Sequence, residues 1–250
     1  MKFARPLLEG TLLRRYQRFL ADVKTPRGMV TAHCPNTGSM LGCAAPGNRV
    51  WLSPADNPAR RLAWTWEIVE VDGTLVGIHT GRSNALVREA IEEGVIRELQ
   101  GYREIRAEVG FGLERSRADF LLSGGRRKPC YVEVKNVTAA VSGGVALFPD
   151  AVSNRGARHL REMMHAVRTG CRAVLVFCAQ RGDVGEVRPA DAIDPEYGAT
   201  LRQALAAGVE AIAYRAEVNP GGIVLAHKVP VVVPELSGAN TVARPKSAGD

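Results

Sequence analysis

No stretch of this 250-residue chain holds the roughly eighteen consecutive apolar residues a helix needs to cross a bilayer, which excludes a helical membrane span. The opening Met-Lys-Phe-Ala-Arg-Pro-Leu-Leu-Glu-Gly has no continuous apolar core and carries Glu9 where a secretory leader is still apolar, so no leader is expected. The five cysteines (Cys34, Cys43, Cys130, Cys171, Cys178) are odd in number and form no Cys-x-x-Cys pair, which argues against a disulfide framework. His33, Cys34 and Cys43 offer the start of a zinc site, but a fourth ligand is not evident. Basic amphipathic helices are absent as well, so a membrane surface is a poor partner. These absences predict a cytoplasmic protein with reduced thiols.

What the chain does have is positive charge. Lys and Arg outnumber Asp and Glu by 33 to 26, a formal net charge of +7, while the 46% apolar and 24% charged content is ordinary for a globular protein. The surplus favours an anionic partner: nucleic acid first, DNA before RNA, and an anionic metabolite second. Colloidal solubility of an Arg-rich composition explains the same surplus without any partner.

The segment from Ser116 to Lys135 is the most informative. Ala118 to Ser123 is apolar and extended in character, Ser123-Gly-Gly-Arg-Arg-Lys-Pro129 is turn chemistry, and Cys130 to Lys135 alternates again, which reads as a β-hairpin. Folding back near Arg126 brings Asp119 opposite or next to Glu133, with Glu133 and Lys135 on one face and Val132 and Val134 on the other. Facing carboxylates repel unless something neutralises them. A divalent cation, Mg²⁺ or Mn²⁺, held by Asp119, Glu133 and the Val134 carbonyl, would do so. Lys135 would then steady a phosphate or orient a water. The plain alternative is a cross-strand salt bridge. The spacing Asp-x(13)-Glu-x-Lys resembles that of PD-(D/E)XK nucleases, with Ala118 where those usually carry proline before the aspartate.

The surrounding pattern predicts two domains and a tail: residues 1–81, 82–233 and 234–250. The first reads as five short antiparallel strands (Leu8–Val23, Met29–His33, Arg49–Ser53, Ala63–Val71, Thr74–Thr80), which suits an OB-like barrel. Arg14, Arg15, Arg18, Arg49, Arg60 and Arg61 lie among Tyr16, Phe19, Trp51, Trp64 and Trp66, a mixture used for nucleic-acid binding unless the aromatics simply fill the barrel. His33-Cys-Pro-Asn-Thr-Gly-Ser-Met40 reads as a small polar loop, either a phosphate cradle or a connector.

The second domain reads as a helix from Ser83 (its cap) to Gly94, strands near 104–109, 118–122 and 131–137, a helix near 153–169, a buried strand 172–179, a helix near 195–207, and strands near 210–218 and 223–233. Helix, three antiparallel strands, helix, strand is the core order of the PD-(D/E)XK (restriction-endonuclease-like) α/β fold. Gln180 at the end of the fourth strand, Glu89 on the first helix, and Arg155, Arg158 and His159 on the second are candidate accessory residues; the alternative is that the charged ones form solvated helix faces. Without periodicity, 234–250 reads as a mobile tail.

The runs LLEGTLLRRYQRFLADV, TAHCPNTGSMLGC, SRADFLL, CYVEVKNVT and ALFPDAVSNRGARHL resemble the sugar fermentation stimulation protein (SfsA) family over about residues 1–233. The resemblance implies an N-terminal OB-like domain, a PD-(D/E)XK-like domain with Asp119, Glu133 and Lys135 as its triad, and DNA binding. It leaves two readings open: a metal-dependent nuclease, or a non-catalytic DNA-binding regulator of sugar, particularly maltose, metabolism.

Overall fold

The computed structural model describes residues 1–235 except 56, 58 and 115; the expected tail lies outside the described residues from 236 onward. The N-terminal part is one sheet built from β1 (Leu8–Tyr16), β2 (Leu20–Thr25), β3 (Gly28–His33), β4 (Arg49–Pro54), β5 (Trp64–Val71) and β6 (Thr74–Gly77). Its order is β3-β2-β1-β4-β5-β6, and a parallel contact of His33 with Thr65 joins β3 to β5, closing five strands into a barrel. Leu12, Val23, Ala32, Val50, Leu52, Trp66 and Val69 are all completely buried inside it. At Gly10 the strands pass so closely that a Cβ would lie 2.5 Å from Val23 Cγ1, so only glycine fits there.

The expected single strand Leu8–Val23 is instead a hairpin. Gln17 and Arg18 take left-handed backbone (φ 49° and 64°), which turns the chain and pairs Arg14 with Asp22 and Tyr16 with Leu20. The strand β6 is also shorter than expected, ending at Gly77, and Thr80 opens a 3₁₀ turn instead.

The second part holds α1 (Ser83–Glu92), β7 (Glu104–Phe111), β8 (Ser116–Ser123), β9 (Cys130–Val137), β10 (Ala140–Val141), β11 (Val145–Phe148), α2 (Asn154–Arg168), β12 (Arg172–Ala179), β13 (Glu186–Pro189), α3 (Pro195–Ala206), β14 (Glu210–Asn219) and β15 (Gly222–Val229). A six-stranded mixed sheet, β15-β14-β12-β9-β8-β7, runs through it, with β9, β12 and β14 parallel. Leu86, Val87, Ala90 and Ile91 of α1 pack on Val132, Val134, Val174 and Val176 on one face. Leu160 and Met163 of α2 and Tyr197 and Leu201 of α3 pack on Leu175 and Phe177 on the other. The fold is therefore an OB-like barrel followed by a three-layer α/β domain.

Three local expectations change. Ser83 does not cap α1: Arg82 occupies the cap position and bonds Glu67 with its side chain, while the Ser83 hydroxyl donates to Asn136 Oδ1 at 2.9 Å. Ser153 does cap α2, accepting from the Gly156 N–H. A small sheet, β10-β11-β13, forms from stretches to which the sequence pattern assigned no element, and the final strand ends at Val229 rather than 233.

Candidate functional site

The β8–β9 hairpin turns about Arg126: Phe120 pairs with Val132, Leu121 with Tyr131 and Leu122 with Cys130. Continuing that register sets Asp119 opposite Glu133, but the ladder stops at Phe120. The pairing of β7 with β8 also skips Asp119, passing from Ala107–Phe120 to Val109–Ala118 where Glu108 takes a left-handed backbone (φ 53°). Where the ladders lapse, the Asp119 carboxylate turns inward. Its Oδ2 accepts the Val134 N–H at 2.7 Å, and its Oδ1 accepts Asn84 Nδ2 from the start of α1, also at 2.7 Å.

Glu133 is 4% exposed. Its Oε1 accepts from Lys135 Nζ at 2.7 Å and from His159 Nδ1. Arg155 Nε donates to His159 Nε2 at 3.3 Å, so that nitrogen is the acceptor and the ring proton sits on Nδ1, facing the carboxylate. The other oxygen, Glu133 Oε2, is buried with no hydrogen-bond partner among the described residues. Burial pushes the Asp119 pKa up, and the charge of Glu133 pushes it further, against the Val134 and Asn84 bonds. Burial acts on Glu133 in the same sense, but the His159 hydrogen bond and Lys135 outweigh it and hold its pKa below the usual range. Two carboxylates thus face one ammonium in a buried corner, with one carboxylate oxygen unanswered.

The accessory candidates divide. Arg155 reaches the corner through His159; His159 itself is 3% exposed and grips Glu133 rather than facing out toward a phosphodiester. Arg158 Nε is buried without a partner among the described residues. Gln180 is fully buried, and its Nε2 donates to Asn136 Oδ1 at 2.6 Å and to the His79 carbonyl at 3.2 Å. It braces the residue after Lys135 and is closed off from an incoming ligand. Glu89 does not join the carboxylates; it pairs with the amino group of Met1 on the far end of α1 from Asn84. Asn84 and Asn136 were not singled out as site residues, although polar residues opening a helix beside a carboxylate-bearing hairpin were a signal. Tyr197 was missed without any signal: its hydroxyl is buried without a partner among the described residues, and burial, then the charge of Glu133, raises its pKa.

The six barrel arginines do not act alike. Arg14 is paired with Asp22 at 2.8 Å, and Arg49 with Glu9 and Glu70 at 2.9 and 2.7 Å. Arg15 donates to the carbonyls of Asn36 and Gly38, each at 2.9 Å, and to that of Arg18 at 3.1 Å. Arg60 donates to Thr65 at 2.9 Å, while Arg18 and Arg61 meet no carboxylate among the described residues. Of the aromatics, Trp66 fills the barrel, Trp64 packs against that core, and Trp51 joins the core shared with α1.

The loop after β3 is a wall, not a phosphate cradle. The Gly38 N–H is taken by Asn36 Oδ1 at 2.9 Å and the Met40 N–H by Asp150 Oδ2 at 3.1 Å. A Cβ on Gly38 would lie 2.6 Å from that carboxylate, so the loop and the α/β domain touch there. Cys34 is buried and its thiol reaches the Asn36 carbonyl; Cys43, pushed up to about 11 by burial, reaches the Thr138 carbonyl. Between the loop and residues 147–153 lies a cleft of about 510 Å³ whose walls include Arg18, Thr80, Lys135 and Asn136.

An OB-like barrel joined to a restriction-endonuclease-like α/β domain defines the class of protein. Comparison with known proteins narrows it: residues 13–78 match the "SfsA N-terminal OB domain" and residues 81–222 the "Sugar fermentation stimulation protein RE domain". The chain belongs to the sugar fermentation stimulation protein family. It is 62% identical over 226 residues to a homolog from Thioalkalivibrio sulfidiphilus, covering 90% of this chain and 95% of that one. It is 59% identical over 234 residues to one from Geobacter metallireducens, covering 93% and 100%. Among solved structures it resembles Pyrococcus furiosus SfsA, described as a complex with Ca²⁺, with a TM-score of 0.83 and 29% identity over 93% of this chain and 98% of that one. No helix among the described residues is long and apolar enough to cross a membrane.

Proposed function

We propose that this chain binds nucleic acid, DNA first, and hydrolyses phosphodiester bonds at the Asp119–Glu133–Lys135 corner with Mg²⁺ or Mn²⁺. The observation that carries the reading is the unanswered Glu133 Oε2 beside Asp119, whose ionisation burial and Glu133 oppose. Among the described residues no three His, Cys, Asp or Glu side chains gather as a ready metal cluster. The two carboxylates offer hard oxygens, and the Val134 carbonyl would add a third, a donor set that suits Mg²⁺ or Mn²⁺ completed by water and phosphate. The Ca²⁺ of the Pyrococcus relative is an ion of the same kind. When bound, such an ion supplies Lewis-acid polarisation of a phosphoryl oxygen and neutralises charge on it.

The chain's own residues do the rest. His159 and Lys135 fix the Glu133 carboxylate from two sides, leaving Oε2 as its free donor atom. Asn84 and the Val134 N–H set the angle of Asp119. Lys135, on the wall of the cleft, would meet the phosphate once freed from Glu133 and offset charge as it develops. Arg18 lines the same cleft and supplies a cation for the flanking backbone.

One observation favours the second reading, a DNA-binding regulator of sugar metabolism without turnover: Lys135 is held by Glu133 and must be released to reach a substrate. The purified chain incubated with single-stranded, duplex and RNA oligonucleotides in Mn²⁺ separates the two. Cleavage by the native chain that disappears in Glu133→Gln supports the nuclease; cleavage unchanged in that variant sinks the assignment. Binding with no cleavage in either protein favours the regulator.

A further inference from the structure

The tip of the β1–β2 hairpin separates two recesses. On one side is the cleft of about 510 Å³ that carries Arg18 and Lys135. On the other is a pocket of about 640 Å³ lined by Tyr16, Phe19, Leu20, His33, Arg60 and Arg61, among others. Phe19 is 47% exposed, unusual for a ring of that size on a strand-bearing hairpin, and it has no aromatic partner among the described residues. The tip is not a loose loop. Arg15 ties the Arg18 carbonyl to the loop wall, and the Phe19 carbonyl accepts the Cys34 N–H at 2.8 Å. A rigid tip therefore presents an exposed ring to one recess and a cation to the other, on adjacent residues.

We propose that the substrate is a single-stranded nucleic acid, lying across this tip with one base unstacked onto Phe19 and its backbone passing Arg18 toward Lys135. The inference rests on the nuclease reading of the corner and adds the form of nucleic acid it takes. Rings in a pocket edged with guanidinium groups suit a base with its phosphate: the face stacks and the cations meet the backbone. Arg61, with no carboxylate of its own among the described residues, is available to that phosphate, and Arg60 stands next to it. In a duplex the faces of the bases are covered by their neighbours, so Phe19 gains nothing from it. The volume is in the range of small-molecule pockets, roughly 300 to 1,000 Å³, which admits a base but not a double helix.

The test is fluorescence anisotropy of the full chain, in EDTA, with a labelled oligonucleotide free or annealed to its complement, as DNA and as RNA. The single strand should bind about tenfold more tightly than the duplex, and Phe19→Ala should weaken single-strand binding by about tenfold with duplex binding unchanged. Phe19 is half exposed, and a thermal melt of the variant run alongside registers any damage to the fold. The DNA and RNA arms show which sugar is preferred. Duplex binding as tight as single-strand binding, or a Phe19→Ala variant that melts normally and binds the single strand as the native chain does, overturns the inference while leaving the nuclease reading intact. Failure to bind any of the four ligands overturns the inference, and the Mn²⁺ cleavage assay of the native chain and Glu133→Gln decides the nuclease reading separately.

Discussion

The barrel surface and the β8–β9 corner are imbalanced in opposite directions. On the barrel, Arg14 and Arg49 look like a surplus in the composition, yet each is answered by acids from neighbouring strands. In the corner two carboxylates share one lysine, and one of their oxygens goes unanswered. Water answers an exposed charge cheaply, so a surface surplus says little about where a ligand sits. A buried deficit has no such outlet, because each unpaired atom there costs the full loss of its hydration. The proposed chemistry is assigned to the deficit for that reason.

Substitution on both sides is the strongest way to break that contrast. Glu133→Ala leaves Lys135 and His159 without their shared acceptor in the interior. It should cost roughly 2–4 kcal/mol, below the usual figure for breaking a buried pair because Asp119 loses a repelling neighbour. Arg49→Ala, on a solvent-exposed pair, should have a far smaller effect. Urea denaturation of the two variants measures both, and equal costs would end the distinction.

Adding the proposed cation sharpens it. Mn²⁺ at about a hundred times its dissociation constant should stabilise the native chain by about 2.7 kcal/mol and leave Asp119→Asn unaffected. Without metal, Asp119→Asn should be at least as stable as the native chain at neutral pH. The native-state pKa of Asp119 lies above its unfolded value, so its stabilising contribution is present in acid and is lost as the pH rises through the folded value. Thermal melts with and without Mn²⁺ decide the point. A metal shift of equal size in the variant would place the ion elsewhere.

The smallest effect concerns the barrel side of the junction. Burial lowers the pKa of His33, helped by Arg60, and lowers that of His79, helped by Arg82 and His33 against Glu67. A histidine held below its unfolded value contributes stability that is complete above about pH 6.5 and is lost as the pH falls toward the folded value. Urea midpoints should therefore drop modestly between about pH 7 and pH 5.5, ahead of the acid range in which Glu133 titrates. A midpoint flat across that interval would show that neither ring matters to stability.

The hairpin register was legible because it is local: the turn between Ser123 and Pro129 sets which residues face each other, and Phe120 with Val132 follows. The role of His159 was also within reach, since it stands four residues before Met163 on the buried stripe of α2, where an outward phosphate contact is excluded. The Arg14–Asp22 pair was hidden by reading Leu8–Val23 as one strand; once Gln17 and Arg18 turn the chain, the two face each other. The β10-β11-β13 sheet was beyond reach. Its strands are two and four residues long and exist because β13 arrives alongside β11 from far down the chain.

The loop at residues 36–40 is held from both domains: Arg15 of the barrel takes its carbonyls, and Asp150 of the α/β layer takes the Met40 N–H and the Ser39 hydroxyl. That joint decides how the two halves can be recombined. A chimera that exchanges the barrel between relatives must carry Arg15 and Gly38 in the barrel and keep an acid at position 150 in its host. Otherwise the halves fold side by side without this wall of the cleft between them. The unit to exchange is therefore the joint, not the domain.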